Sequence, residues 1–104
     1  MKKNSFYERC YAKLCTVPRG KVTTYAELAR SLGSQAFRAV GGAMRTNPDA
    51  PRVPCHRVVR SDGTLGGYSG GLAKKISLLK KEGVSVRNGH VVNFEKKLYR
   101  PRRG

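Results

Sequence analysis

Apolar positions along this chain change their period several times, and each change marks an element. Phe6, Tyr7, Cys10, Tyr11, Leu14 and Cys15 recur at spacings of one, three and four, which predicts a helix with one buried stripe. Ser5-x-x-Glu8 reads as a capping box at its start, and Pro18-Arg19-Gly20 ends it. Thr24-x-x-Glu27 opens a second helix in the same way, with Leu28, Ala29 and Leu32 on the inner side and Gly33 just past the end. After Ser34-Gln35 a third helical segment runs from Ala36 to about Arg45, its apolar positions being Val40, Ala43 and Met44. Gly41-Gly42 allow another backbone to approach closely, and Asn47-Pro48 stops the helix. Two short helices around a glycine turn predict a helix-turn-helix. Arg38 and Arg45, seven residues apart, then share one face of the recognition helix.

Beyond Pro48 the pattern shortens. Val53 to Arg60 is a β-branched strand or turn segment, followed by a glycine-rich loop from Ser61 to Gly71. A helix from about Gly71 to Lys81 carries Leu72, Ile76 and Leu79 on one side, and Gly83 closes it. Val84 to Val92 predicts a hairpin with a type I′ turn at Asn88-Gly89. The expected fold is α+β and mainly helical: a winged-helix-like helix-turn-helix with a small C-terminal hairpin. It fills one domain over 1–104, with a loosely held basic tail over 95–104.

Composition narrows the class. At 104 residues a single domain with a small core is expected. No apolar run approaches the ~20 residues of a membrane span, and the N-terminus lacks a signal-peptide pattern. Three cysteines argue against a secreted disulfide framework and for an intracellular, reduced protein. Lys plus Arg number 22 against 6 Asp plus Glu, a net charge of +16. That excess disfavours a carrier of apolar ligands and favours a polyanion. Arg38, Arg45, Arg57, Arg60 and the tail are expected to neutralise phosphates. With a helix-turn-helix, DNA is preferred to RNA.

The sharpest chemical pair is Cys55-His56. Pro54 fixes the backbone ahead of Cys55, a rigid mount for a side chain. On extended backbone, adjacent side chains point apart, so cooperation of the two needs a bend or a bridging water. From the residues alone, Cys55 reads either as a small core side chain or as a nucleophile. Cys10 and Cys15 fall on the apolar stripe and, with no partnering His, make no zinc site. His90 receives no role.

At Pro54-Cys55-His56-Arg57-Val58-Val59 the chain resembles the DNA-binding, catalytic domain of O6-alkylguanine-DNA alkyltransferases. The resemblance extends to Arg38-Ala39-Val40-Gly41-Gly42-Ala43-Met44-Arg45 and to Asn47-Pro48, eight residues before the cysteine. Gly66-Gly67-Tyr68-Ser69-Gly70-Gly71-Leu72 is similar to the family's substrate loop, and Leu78 to Gly83 to its Leu-Leu-x-x-Glu-Gly helix end. Four ordered blocks favour the nucleophile reading.

The resemblance implies single-turnover transfer of a methyl group from O6-alkylguanine to Cys55 after nucleotide flipping, with no cofactor and no metal. His56 and Glu82, with a water, relay the thiol proton, and Asn47 holds the hinge between recognition helix and cysteine segment. Tyr25 lines the pocket and hydrogen-bonds the guanine. Backbone near Val58 and Ser69 reads the base edge. Arg38 enters the base stack, Arg45 lies on the same DNA-facing helix, and Ser61 contacts phosphate. The implied partner is double-stranded DNA, met in the minor groove by a monomer in a prokaryotic-type cytoplasm. Full-length members carry an N-terminal α/β domain, expected to be missing here and not excluded as a separate partner. The short length is typical of alkyltransferase-like proteins, which carry Trp at the reactive position, bind damage and recruit excision repair. Cys55 favours the enzyme over that alternative.

Overall fold

Ten elements follow one another in the computed structural model, which describes residues 5–103. They are α1 (Ser5–Leu14), β1 (Thr23–Thr24), α2 (Tyr25–Ser31), α3 (Phe37–Arg45), a 3-10 turn (Cys55–Arg57), β2 (Val58–Val59), α4 (Leu72–Lys81), β3 (Val86–Arg87), β4 (His90–Val91) and α5 (Phe94–Lys97). The architecture is α+β and mostly helical, as the periodicities predict. The Ser5 capping side chain lies outside the described residues. Among those residues, no helix is long and apolar enough to cross a membrane.

Local chemistry explains the boundaries. The Thr24 hydroxyl caps α2 by accepting from the Glu27 N–H at 3.0 Å. The Glu27 carboxylate meets Arg30 at 2.7 Å and Arg100 at 3.4 Å. Gly33 takes φ +72° after α2, while the N–H groups of Gly33 and Ser34 donate to Arg30 and Ala29. That is a Schellman closure, and it sets the tight turn into α3. Asn88 and Gly89 both have positive φ, giving the expected turn between β3 and β4.

Two cores meet across a two-residue ladder. β1 pairs with β2 in parallel, Thr23 opposite Val58 and Thr24 opposite Val59. Alternation sends Val58 into one core, with Cys10, Leu14, Leu28, Val40 and Ala43 from the first three helices. Val59 enters the other, with Val22, Leu65, Leu79, Val84 and Val91. The Tyr11 hydroxyl donates to the Ala43 carbonyl at 2.9 Å and ties α1 to α3. Gly42 permits this packing, since a Cβ there would stand 2.5 Å from the Tyr7 hydroxyl.

Three expectations are corrected. The α4 stripe does not face inward as a unit: Leu72 is 51% and Ile76 37% exposed, while Lys75 and Leu79 are fully buried. Cys15 follows the end of α1 and is exposed instead of joining the stripe. The tail is pinned, not loose. Val22 pairs with Leu98, Tyr99 N–H donates to Val22 O at 2.7 Å, and Pro101 is buried. Arg30 and Lys13 donate to the carbonyls of Pro101 and Arg102.

Candidate active site

A cavity of about 1010 Å³ opens between α3, the first residue of α2 and the glycine-rich loop. Tyr25, Arg38, Met44, Arg45, Cys55 and Ser69 are among its lining residues. Cys55 reaches it from the 3-10 turn and is itself only 4% exposed. Gly66 brings the loop against Tyr25: its φ is +70°, and a Cβ would stand 3.1 Å from the Tyr25 hydroxyl. Burial pushes the Tyr25 phenol above its ordinary pKa, so it stays protonated and able to donate, although Arg60 and Arg45 pull the other way.

Behind Cys55 the turn supplies the bend that extended backbone lacks. His56 is buried, and its Nε2 lies 2.9 Å from Glu82 Oε2. Arg57 grips the same carboxylate in a fork, Nε to Oε1 at 2.9 Å and Nη2 to Oε2 at 2.8 Å. Its Nη1 donates to the Val17 carbonyl at 2.8 Å. Arg57 therefore points inward and is not the phosphate contact its charge suggests. Glu82 is the C-cap of α4, and Gly83 and Val84 close a second Schellman turn onto Lys80 and Leu79. A helix end disfavours a carboxylate, and here a guanidinium offsets that cost.

The charges decide the tautomer. Burial works against the Glu82 anion, but the hydrogen bonds from Arg57 and His56 hold its pKa below the usual carboxylate value. Burial lowers the His56 pKa from 6.5 despite the hydrogen bond to Glu82. A neutral imidazole beside an ionised carboxylate must donate from Nε2. Nδ1 is then the basic nitrogen, buried and without a hydrogen-bond partner among the described residues.

Other expected site residues separate into two groups. Asn47 donates from Nδ2 to the Val53 carbonyl at 2.8 Å and accepts from Asp49 N–H at 3.0 Å, joining the end of α3 to the cysteine segment. Arg38, Arg45 and Ser69 are exposed on the cavity wall. Ser61 is exposed on the turn after β2 and does not line the cavity. Val58 does not line it either. Its N–H donates to Cys55 O, and its carbonyl accepts from Lys75 at 2.8 Å.

Lys75 is the residue that sequence reasoning missed. Its ammonium, 0% exposed, also donates to the carbonyls of Leu65 and Gly67, so it clips the glycine-rich loop to β2. Burial lowers its pKa to about 8, Cys55 opposing and Arg60 assisting. A lysine on a short amphipathic helix gives no sequence signal of burial. Among the described residues, no three His, Cys, Asp or Glu side chains gather as metal ligands do.

Residues 5–84 match the family model described as 6-O-methylguanine DNA methyltransferase, DNA binding domain. The methylated-DNA–protein-cysteine methyltransferase of Homo sapiens is 52% identical over 81 residues, 76% of this chain and 39% of that protein. The enzyme of the same name from Methanosarcina barkeri is 47% identical over 83 residues, covering 79% and 52%. This chain thus spans about half or less of these curated relatives. S. pombe Atl1, crystallised with damaged DNA containing O6-carboxymethylguanine, superimposes with a TM-score of 0.83 at 33% identity, covering 97% of this chain and 100% of that one.

Proposed function

This chain belongs to the 6-O-methylguanine DNA methyltransferase family, through that family's DNA-binding domain, and we propose that it repairs DNA directly, moving an alkyl group from O6 of an extruded guanine to Cys55. The observation that carries this reading is the thiol on the cavity wall, followed by a buried imidazole that a carboxylate holds by its far nitrogen. A nucleophile, a base and an orienting acid in that order are what thiol activation requires.

The alkyl carbon of an intact duplex is out of reach, so the nucleotide must leave the stack. Arg38, exposed at the cavity edge, fills the space it leaves, and Arg45 neutralises backbone charge beside it. Ser61 meets a phosphate further along. Ser69 and the neighbouring loop backbone meet the base edge. The thiol proton passes through a water to His56 Nδ1, and Glu82 steadies the imidazolium. Sulfur bonds to the alkyl carbon as the carbon–O6 bond breaks, and the Tyr25 hydroxyl donates to the guanine as it takes on negative charge. Asn47 keeps Cys55 and α3 in fixed relation throughout. No acid or base of this chain cleaves a thioether, so each molecule acts once, and no cofactor is required.

A second reading is a damage sensor that holds the lesion and recruits excision repair. The end-to-end likeness to S. pombe Atl1 favours it. Peptide mass spectrometry after mixing with a duplex containing one O6-methylguanine separates the two. A methyl-for-hydrogen gain on Cys55, stoichiometric with protein and lost in Cys55→Ala while binding persists, is the expected result. An unmodified Cys55 on a tightly bound lesion would establish the sensor.

A further inference from the structure

Phe37 opens α3 directly before Arg38 and, at 54%, is the most exposed large apolar side chain among the described residues. Its ring lines the Cys55 cavity on one side. On the other it lines a shallower depression of about 480 Å³, walled in part by Ala29, Arg30, Gly33 and Arg103. The ring therefore stands on a ridge between two hollows. Guanidinium groups border both, Arg38, Arg45 and Arg60 around the first, Arg30 and Arg103 around the second. Helix packing does not call for an aromatic there, since Val40, Ala43 and Met44 already fill the buried face of α3.

Arg30 is held by Glu27 and the Pro101 carbonyl, which leaves Arg38, Arg45, Arg60 and Arg103, and an apolar protein surface is a poor match for a ridge flanked by those four cations. Duplex DNA matches both parts, with phosphates for the guanidiniums and base faces for the ring. We propose that Phe37 is an apolar wedge that seats against the base pair flanking the extruded nucleotide, while Arg38 occupies the vacated position. This rests on the lesion-flipping reading above and adds a second residue to it. An aromatic face stabilises the unstacked neighbour that a cation alone leaves open to water. Because the ring is more than half exposed and stands outside the buried face of α3, its removal is expected to leave the fold intact.

The chain contains no tryptophan, so Phe37→Trp places a single fluorescent reporter at the ridge. With Cys55→Ala as the background, so that the lesion stays in the duplex, stacking on a base is expected to quench it roughly twofold or more on a saturating duplex with one O6-methylguanine, and much less on the undamaged duplex. Adding Phe37→Ala to Cys55→Ala, followed by anisotropy of labelled DNA, is expected to weaken damaged-duplex binding about tenfold and undamaged binding far less. Preference of Cys55→Ala for the damaged duplex, together with an unquenched reporter or an unaffected Phe37→Ala, would overturn the wedge alone. Absence of that preference in Cys55→Ala would remove the lesion-flipping reading and the wedge with it.

Discussion

Glu82 serves three donors with one carboxylate: the imidazole of His56 and two nitrogens of Arg57. Glu82→Gln keeps the shape and removes the charge, leaving a nearly buried guanidinium without its counter-ion. Urea unfolding at neutral pH should show a loss of about 3 kcal/mol. The same cluster sets a pH dependence. Unfolded, His56 binds a proton near 6.5; folded, it does so only at lower pH. Between those values the unfolded state holds more protons, so stability falls as pH drops through that window. The lowered Glu82 pKa adds further loss at more acid pH. The wild-type urea midpoint should therefore drop from about pH 7 to about pH 5, and transfer should slow as His56 Nδ1 takes up its proton. At this scale the residue types of the site were legible in the Pro54–Val59 and Leu78–Gly83 motifs. Lys75 and Arg57 were not. A buried cation announces itself only through the carbonyls or carboxylate that surround it, and those come from β2, the loop and α4.

Among the elements, the first four helices were legible to within a residue or two because capping residues and glycines punctuate them; α5 was not, its four residues carrying no period and falling at the start of the expected tail. β1 and β2 were not resolved as strands, since two residues carry no period. Their pairing depends on a partner 35 positions away in the Thr23–Val58 register. α4 misled for a physical reason. It presents Lys75 inward because Val58 of β2 and Leu65 and Gly67 of the glycine-rich loop offer carbonyls to its first turns, while Leu79 packs in the apolar core beside Leu65. The segment after α5 misled too: its charge suggested solvent, but backbone hydrogen bonding to Val22 and burial of Pro101 hold it. A chain stopped after Lys97 should lose at least about 2 kcal/mol of stability, from the uncovered surface around Tyr99 and Pro101. Thermal unfolding measures this directly, and an unchanged Tm would mean that the segment only rests on the surface.

Across the whole molecule, 41 × 25 × 20 Å in extent, charge and cavity coincide. Arg38, Arg45 and Arg60 border the hollow that holds Cys55, so the field draws a polyanion toward its thiol. Binding to duplex DNA should weaken with salt at a log–log slope steeper than about −3, as for four or more neutralised phosphates. A flat response in a salt titration would separate the charge from the binding face. The same global view gives the pairing of residues 98–101 with Val22 a different meaning. The ribosome makes this strap after every element that it covers. Until it clears the exit tunnel, the newborn chain can assemble its helices around Cys55, but the flank of the domain stays open. The helices around Cys55 thus come together before the flank at Val22 is closed, and a product cut short ahead of residue 98 would hold Cys55, His56 and Glu82 but lack that closure.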